Sequence, residues 1–112
     1  MPRNELVTCV MVTRDRAHLA QRAIQCFLAQ TYAPRELLIV NDGDHSYCDV
    51  IPVELPIDVT ITELHLETEE NNTLGELRNL GLDTARGEFI AQWDDDEWYH
   101  PDRLAIQISS IE

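Results

Sequence analysis

Lysine is absent from this chain of 112 residues, and all eight of its basic residues are arginine. A phosphate-binding P-loop depends on its lysine, and Schiff-base catalysis depends on a reactive amine, so both are excluded. The receiver domain of two-component signalling is another acidic α/β chain of this length, but that family also uses a lysine. The missing lysine therefore removes functional classes that length and charge alone would allow.

Cysteine is scarce and widely spaced. Cys9, Cys26 and Cys48 form no C-x-x-C pair, which excludes a zinc ribbon and a thioredoxin-type motif. Cys9 lies in an apolar run and Cys26 in a helical pattern, so we expect both thiols to be buried. No disulfide framework is implied, and we expect a reducing, cytoplasmic location.

Long apolar runs are absent as well. No stretch approaches the roughly 20 apolar residues of a membrane-spanning helix. The apolar run near the amino terminus has only about seven residues, which is too short for a secretory signal with its cleavage site. We therefore expect no direct insertion of this chain into a membrane.

Positive charge is limited, because 21 acidic residues face 8 arginines and the net charge is −13. Such a surface repels nucleic-acid phosphate and anionic lipid, so we expect no nucleic-acid partner. A cation, or a ligand that carries one, is the more natural partner. The length allows one domain with one core, and 44% apolar and 26% charged residues are ordinary values for a globular chain.

The first half of the chain carries the pattern of a β-α-β unit. Residues 6–12 are almost continuously apolar and rich in valine, as in a strand buried on both faces of a parallel sheet. From Ala17 to Leu28, apolar residues recur at intervals of three and four, which predicts an amphipathic helix. A second apolar run at residues 37–40 predicts the next strand, and the crossover should be right-handed.

The third strand and the second helix follow an irregular, proline-containing segment. Residues 59–66 alternate imperfectly, which favours a strand near an edge of the sheet, and residues 67–72 read as an acidic loop. The sequence from Thr73 to Glu76 fits a capping box at the start of a helix. Gly87 is predicted to stop that helix at its carboxyl end.

A fourth predicted strand, at residues 89–93, runs directly into a row of acidic residues. Pro101 can then open a last helix at its first position. The predicted order is β-α-β-β-α-β-α, with four strands and three helices. This order predicts an α/β fold with a mostly parallel, Rossmann-like sheet.

Polar residues follow three of the predicted strands, at 13–15, 41–42 and 94–96. In an open α/β sheet, ligands bind beyond the carboxyl ends of the strands, and parallel strands bring these groups to one edge. Carboxylates gathered there repel one another unless a cation lies among them. Oxygen ligands favour Mg²⁺ or Mn²⁺, which usually also takes substrate phosphates. A solvated acidic turn at residues 94–97 is the alternative that the residues leave open.

Four segments together carry a resemblance to a known family: VTCVMVTRDR, FLAQTY, LLIVNDGD and TLGELRNLGLDTARGEFIAQWDDDEWYHPDRL. In order and spacing they resemble the amino-terminal half of family 2 glycosyltransferases, which have the GT-A fold. Each motif alone is weak, and their combination is specific. The resemblance implies transfer of a sugar from a nucleotide-diphosphate donor, typically a UDP-sugar.

The resemblance assigns five residues to the nucleotide and the donor. Asp42 matches the aspartate that hydrogen-bonds the base, and Thr13 and Asp15 match the loop that lines the base and the ribose. Arg14 stands where the family often has an aromatic residue that stacks on the base, which a guanidinium can also do. Arg78 matches the basic residue of an Arg-Asn pair near the donor. The alternatives are that Asp42 is only a turn residue and that Arg78 pairs with an acid on its own helix.

A metal site is also implied by the resemblance. Asp94 and Asp96 match the two aspartates of the Asp-x-Asp motif. Asp96 is the expected direct ligand of Mn²⁺ or Mg²⁺, and Asp94 is expected to face the ribose and the donor sugar beside the metal. Asp95, between them, is included among the nucleotide-sugar-binding residues. The ion would bridge the diphosphate and stabilise the leaving group as a Lewis acid.

Residues 1–112 are expected to form a single, truncated donor-binding domain without the family's acceptor half and general base. We expect a metal-dependent, inverting transfer to an unknown acceptor by a longer enzyme, and no turnover by this chain alone. A non-catalytic nucleotide-sugar-binding module is the alternative, and a GT-A nucleotidyltransferase ranks last because the turn at residues 13–16 has no glycine. Open sheet edges and an apolar patch predict a homo-oligomer of small size.

Overall fold

Strands and helices alternate along the chain as the apolar pattern predicts. The computed structural model describes residues 5–66 and 72–111. The elements are β1 (Val7–Thr13), α1 (Ala17–Leu28), β2 (Arg35–Asn41), β3 (Val59–His65), α2 (Leu74–Thr84), β4 (Phe89–Gln92) and α3 (Arg103–Ser109). A short 3₁₀ turn, Cys48–Val50, lies between β2 and β3. The predicted order is confirmed. Residues 67–71 of the acidic loop predicted at residues 67–72 lie outside the described residues.

The strands form one parallel, four-stranded sheet in the order β3-β2-β1-β4. β1 and β2 lie in the middle and are almost entirely buried, which accounts for their continuous apolar sequences. β3 lies at one edge, as its imperfect alternation predicts, and β4 lies at the other. Thr13 pairs with Asn41, and Asn41 pairs with His65, so three strands end at the same level. The predicted α/β fold is confirmed.

The larger core lies on the face of the sheet that α1 and α3 cover. The buried helical residues of this core include Ile24, Phe27, Leu104 and Ile108. Full burial of an aliphatic or aromatic side chain of this size contributes about 1.5–3 kcal/mol to folding. Apolar burial therefore holds both helices against the sheet and fixes the turns at their ends.

Helix α2 packs on the opposite face of the sheet. The Thr73 hydroxyl accepts a hydrogen bond from the Glu76 backbone N–H at 3.1 Å, so the predicted amino-terminal cap is confirmed. Leu77 is buried against Val10 and Val40. A Cβ at Gly81 would lie 2.5 Å from Val10 Cγ1, so the close approach of α2 to β1 requires glycine at this position.

Two predicted helix boundaries are wrong. α2 ends at Thr84, before Gly87 is reached, and no described glycine has a positive φ. Gly87 is required by a close contact instead, because a Cβ there would lie 2.5 Å from Thr8 Oγ1. α3 begins at Arg103, so Pro101 lies in the turn before the helix rather than at its first position.

The predicted burial of Cys9 and Cys26 is confirmed. Cys9 and Cys26 are buried, and Cys48 is exposed. Burial raises the pKa of the Cys9 thiol far above its ordinary value. The Cys9 side chain therefore stays protonated and serves as a small apolar group in the core.

Candidate functional site

A cleft of about 740 Å³ opens at the carboxyl ends of β1, β2 and β4, on the face of the sheet against which α2 packs. Its apolar lining consists of Val10, Val12, Leu74, Leu77, Leu82 and Ile90. Polar residues from the strand ends line the rest. The cleft therefore places apolar surface beside groups that carry charge and form hydrogen bonds, as small-molecule sites do.

The structure brings together all but one of the predicted site residues. The cleft is lined by Thr13, Arg14, Asp42, Arg78, Asp94, Asp95 and Asp96. Asp15 is not among the lining residues. It adopts a left-handed φ of 52°, and its Oδ1 accepts a hydrogen bond from the Asp44 backbone N–H at 2.9 Å. Asp15 thus joins the loops that follow β1 and β2.

Gly43 allows these two loops to meet. A Cβ at Gly43 would lie 2.5 Å from Asp15 Oδ1 and 2.8 Å from Asp15 N. Asn41 Oδ1 accepts a hydrogen bond from the Gly43 backbone N–H at 2.8 Å, which tightens the turn after β2. The Asn-Asp-Gly sequence therefore serves both as a turn and as the contact surface for the neighbouring loop.

Asp42 and Arg14 form an ion pair at the β1 and β2 side of the cleft. The Asp42 side chain is only 5% exposed, and its Oδ1 lies 3.7 Å from Arg14 Nε. The Arg14 side chain is more than half exposed. A buried acceptor thus lies beside an exposed, planar donor, and the two can hydrogen-bond the edge of a heterocyclic base together.

Asp95 is directed into the protein. Its Oδ2 accepts a hydrogen bond from Thr13 Oγ1 at 2.8 Å, and its Oδ1 accepts one from Arg16 Nη1 at 3.3 Å. The residue is buried. Both carboxylate oxygens therefore accept hydrogen bonds from residues 13–16, at the end of β1 and in the turn after it. Residues 94–97, the acidic segment, are thus not simply a solvated turn.

Asp94 and Asp96 are more accessible than the residue between them. Asp94 is half-buried, and its Oδ1 accepts a hydrogen bond from Gln92 Nε2 at 2.9 Å. The Asp96 side chain is 56% exposed, with Oδ2 3.8 Å from Arg16 Nη1. Two carboxylates thus face the cleft beside a guanidinium that offsets part of their charge.

The acidic segment is flanked in the chain by two buried aromatic residues, Trp93 and Tyr99. Their rings stack with centroids 3.8 Å apart, and Trp93 Nε1 donates a hydrogen bond to the Ala23 carbonyl at 2.9 Å. The Tyr99 hydroxyl accepts a hydrogen bond from the Asp94 backbone N–H at 2.7 Å. Burial raises the pKa of Tyr99, so its hydroxyl stays neutral. The acidic segment is therefore fixed at both ends by buried aromatic residues.

Arg78 is exposed on α2 and lines the cleft. Within residues 5–66 and 72–111, no carboxylate lies within ion-pair distance of its guanidinium. The alternative in which Arg78 pairs with an acid on its own helix finds no support in this part of the chain. Its charge is available to an anion in the cleft.

The carboxylates of the site fit one kind of metal binding. Among the described residues, no three His, Cys, Asp or Glu side chains form a group that could hold a metal ion. Asp95 already has both oxygens engaged, which leaves Asp94 and Asp96. One or two carboxylates suit Mg²⁺ or Mn²⁺ when water and ligand phosphates complete the octahedron. The donor set therefore fits an ion that binds together with a phosphorylated ligand.

Two residues of the site were not among the predicted ones. Arg16 lines the cleft and pairs with Asp95. Tyr47 lies behind the cleft, buried against Thr13. Arg16 could have been inferred from its place in the same polar turn as Thr13. Tyr47 lies in an irregular segment, and neither periodicity nor a motif marks it.

The chain matches a known sequence family along most of its length. Residues 8–112 match the family model described as Glycosyl transferase family 2. WcaA of Escherichia coli K12, named as a candidate colanic acid biosynthesis glycosyl transferase, is 34% identical over 107 residues, which cover 95% of this chain and 38% of WcaA. YwdF of Bacillus subtilis, an uncharacterized glycosyltransferase, is 32% identical, and the match covers 95% of this chain and 38% of YwdF. The chain spans about two fifths of these relatives.

Solved structures with the same fold include two that contain nucleotide sugars. The mannosyltransferase PcManGT from Pyrobaculum calidifontis, in complex with GDP-Man and Mn²⁺, has a TM-score of 0.74 at 22% identity, over 95% of this chain and 32% of PcManGT. S. aureus TarS 1-349, in complex with UDP-GlcNAc, has a TM-score of 0.68 at 16% identity, over 94% of this chain and 30% of TarS 1-349. At these identities the similarity shows the fold, and the predicted GT-A architecture is confirmed.

Proposed function

The chain belongs to glycosyl transferase family 2, and we propose that its cleft binds the nucleotide-diphosphate sugar from which the whole protein transfers the sugar to an acceptor. The observation that supports the proposal is the meeting of strand-end residues from β1, β2 and β4 with a basic residue of α2 around one cleft. Each group has the chemistry that one part of such a donor requires.

The base binds beside Asp42 and Arg14 in this proposal. Uracil presents one N–H between two carbonyl oxygens, so a carboxylate that accepts and a guanidinium that donates are complementary to it. The two solved relatives named above contain UDP-GlcNAc and GDP-Man, so both uracil and guanine are bound on this fold. We assign a UDP-sugar as the first candidate donor.

The diphosphate needs local positive charge, because the chain as a whole is strongly acidic. Arg14, Arg16 and Arg78 line the cleft and supply that charge. Guanidinium groups bind phosphate oxygens through paired hydrogen bonds. Arg78 is the most available of the three, since the other two already lie beside carboxylates.

A divalent ion, Mn²⁺ or Mg²⁺, is assigned to Asp96, with Asp94 beside it. When bound, such an ion neutralises the diphosphate and stabilises the leaving nucleotide as a Lewis acid. Asp96 contributes the exposed carboxylate, and Asp94 accepts a hydrogen bond from Gln92. PcManGT, which shares the fold, is in complex with both GDP-Man and Mn²⁺, and this supports a divalent ion as a companion of the donor.

Residues 1–112 are proposed to act as one donor-binding domain. Because the chain spans only 38% of WcaA and of YwdF, the acceptor, the linkage and the transfer step are proposed for the whole protein. Donor binding is the part of the activity that this chain is proposed to perform by itself.

Isothermal titration calorimetry with the full chain tests the proposal. UDP and GDP are titrated separately, in Mn²⁺ and in chelator, and uridine serves as the matched ligand without phosphates. We expect saturable binding of one diphosphate in Mn²⁺, weakened about tenfold or more in chelator, and much weaker, metal-independent binding of uridine. The absence of binding by both diphosphates would contradict the proposal.

A further inference from the structure

Four residues close a ring of hydrogen bonds beneath the acidic segment. The Arg16 backbone N–H donates to the Tyr47 hydroxyl at 2.9 Å, and that hydroxyl lies 2.6 Å from Thr13 Oγ1. Thr13 Oγ1 donates to Asp95 Oδ2 at 2.8 Å, and Arg16 Nη1 donates to Asp95 Oδ1 at 3.3 Å. The ring joins the turn after β1, the loop after β2 and the segment after β4.

The direction of each hydrogen bond in the ring follows from the chemistry of the groups. An ionised carboxylate only accepts, so the Thr13 hydroxyl uses its single proton on Asp95. The Thr13 oxygen must then accept its other hydrogen bond from the Tyr47 hydroxyl, whose oxygen accepts from the Arg16 N–H. The three hydrogen bonds from the Arg16 N–H through Tyr47 and Thr13 to Asp95 Oδ2 run head to tail, and each polarises the next. The fourth, from Arg16 Nη1 to Asp95 Oδ1, reaches the same carboxylate from the other side.

Tyr47 is hydrogen-bonded through its backbone to Glu63, on the edge strand β3. Its side chain is buried, and its backbone N–H donates to Glu63 Oε2 at 2.8 Å. Glu63 also accepts from Ser46 Oγ at 2.6 Å and from Asn41 Nδ2 at 2.9 Å. Burial raises the pKa of Glu63, but these hydrogen bonds outweigh burial and lower its pKa below the ordinary value. The ionised carboxylate therefore anchors the Tyr47 loop to β3.

We propose that Tyr47 is a positioning residue of the donor site, which acts through Thr13 to hold Asp95 and the acidic segment in the arrangement that binds the donor. This inference rests on the proposed function. Asp95 then acts within the protein, by orienting Arg16 and the acidic segment, while its two neighbours in the chain face the ligand.

Removal of the Tyr47 hydroxyl isolates this role. In Tyr47→Phe the aromatic ring still fills its place in the core, but Thr13 loses its donor and the Arg16 N–H loses its acceptor. The Thr13 hydroxyl is then free to rotate away from Asp95. The turn at residues 13–16 becomes less ordered before the ligand arrives, and the loss of preorganisation lowers affinity.

Calorimetry with UDP and GDP in Mn²⁺, on the full chain, measures the effect. We expect Tyr47→Phe to weaken binding of the preferred nucleotide about five- to tenfold, the range of one lost hydrogen bond. Tyr32→Phe is the matched control, because it also removes a buried hydroxyl, which donates to the Glu5 carbonyl at 2.6 Å at the opposite end of the sheet. We expect its affinity to equal that of the wild type.

A double-mutant cycle separates positioning from a general loss of stability. In a Thr13→Val background the path from Tyr47 through Thr13 to Asp95 is already broken, and Tyr47→Phe removes only the acceptor of the Arg16 N–H. Tyr47→Phe should therefore cause a further loss of affinity of less than about twofold. In a Thr13→Ser background the hydroxyl that links Tyr47 to Asp95 remains. Tyr47→Phe should then again weaken binding about five- to tenfold. A purely structural Tyr47 would give the same fold-change in both backgrounds.

The outcomes distinguish this inference from the proposed function. If the wild type binds a nucleotide and Tyr47→Phe binds it equally well, or loses the same factor in both Thr13 backgrounds, the positioning role is overturned and the donor site stands. If Tyr47→Phe does not fold by circular dichroism, equal affinities of Thr13→Val and Thr13→Ser overturn it. If the wild type binds neither nucleotide, both proposals fail.

Discussion

Asp95 and Asp96 are neighbours in the chain, yet their carboxylates have opposite surroundings. The Asp95 side chain is 8% exposed and accepts hydrogen bonds from Thr13 and Arg16. The Asp96 side chain is 56% exposed, and its nearest charged partner, Arg16, is 3.8 Å away. Only Asp96 can exchange its partner for a ligand or an ion without breaking a buried network.

The first prediction concerns the charge of Asp96. Asp96→Asn keeps the size of the side chain but removes the ligand charge, so the gain in nucleotide affinity that Mn²⁺ provides should fall about tenfold or more. Stability should change by less than about 0.5 kcal/mol, because the side chain is exposed. Glu97→Gln, one residue further and outside the cleft, is the control. Full metal dependence in Asp96→Asn would contradict the metal assignment.

The second prediction concerns the base. Asp42→Ala should weaken uridine nucleotides by about 1–3 kcal/mol, the range for a hydrogen bond to a charged group. Asp44→Ala removes an exposed carboxylate two residues away and should leave affinity unchanged. Calorimetry on both variants, with melting temperatures recorded in parallel, decides the point. Unchanged affinity in Asp42→Ala would reduce Asp42 to a turn residue.

At the scale of elements, the buried carboxylate of Glu36 fastens the connection between α2 and β4. Glu36 accepts hydrogen bonds from the Thr8 hydroxyl, from Arg86 N at 2.9 Å and from Arg86 Nη2 at 3.1 Å. The Gly87 backbone N–H donates to Thr8 Oγ1 at 2.8 Å. The helix that carries Arg78 and the strand that leads into the acidic segment are thus tied together from the far end of the sheet.

The third prediction follows from the ionisation of Glu36. Burial raises the pKa of Glu36, but hydrogen bonds from Thr8 and Arg86 outweigh burial and bring the pKa below its ordinary value. A carboxyl group with a lowered pKa adds stability above its unfolded pKa, and that stability is lost as pH falls through the folded pKa. The free energy of unfolding should therefore decrease between roughly pH 5 and pH 2.

Denaturant titrations of two variants locate the source of this pH dependence. Glu36→Gln should cost about 1–3 kcal/mol at neutral pH and should show a shallower loss of stability in acid. Glu88→Gln removes an exposed carboxylate from the same connection and should behave as the wild type. Equal acid sensitivity in Glu36→Gln and the wild type would show that other groups dominate.

The order of the elements could be predicted because it depends on burial of whole segments. Continuous apolar runs indicate central parallel strands, and apolar residues at intervals of three and four indicate a helix with one buried face. The roles of Gly87 and Pro101 could not be predicted this way. The constraint on Gly87 is its contact with Thr8, which is 79 residues away in the chain, and no local rule contains it.

At the scale of the whole molecule, the sheet topology predicts which strand-end residues meet at the site. Parallel strands bring their carboxyl ends to one edge, so the meeting of Thr13, Asp42 and the acidic segment follows from the strand order. The part played by Tyr47 does not follow from it. Its partner Thr13 lies 34 residues away, and the loop that carries Tyr47 is shaped by side-chain contacts rather than by a repeating pattern.

The exposed surface combines charge with open apolar areas. β3 and β4 are the edge strands of the sheet. Ile111 is 55% exposed and lines a small apolar groove between α3 and β4. Within residues 5–66 and 72–111, no helix is long and apolar enough to cross a bilayer. Apolar attraction near β4 and repulsion from the net charge of −13 therefore act against each other.

The fourth prediction is that the 112-residue chain forms dimers or small oligomers. Added salt screens the net charge and should strengthen the association. Ile111→Glu should weaken it, and Val53→Glu, which adds the same charge at a fully exposed position far from the groove, is the control. Light scattering over a range of concentrations measures the effect. A strict monomer at high concentration would refute the prediction.

The central claim, that the cleft at the strand ends is the nucleotide-diphosphate site, is tested most directly by mapping backbone amide shifts by NMR during titration with UDP or GDP in Mg²⁺. We predict saturable shifts concentrated at residues 13–16, 41–43 and 92–96 and at Arg78, with the amides around Tyr32 unchanged. Shifts confined to other surfaces, or no saturable shifts with either nucleotide, would contradict the account.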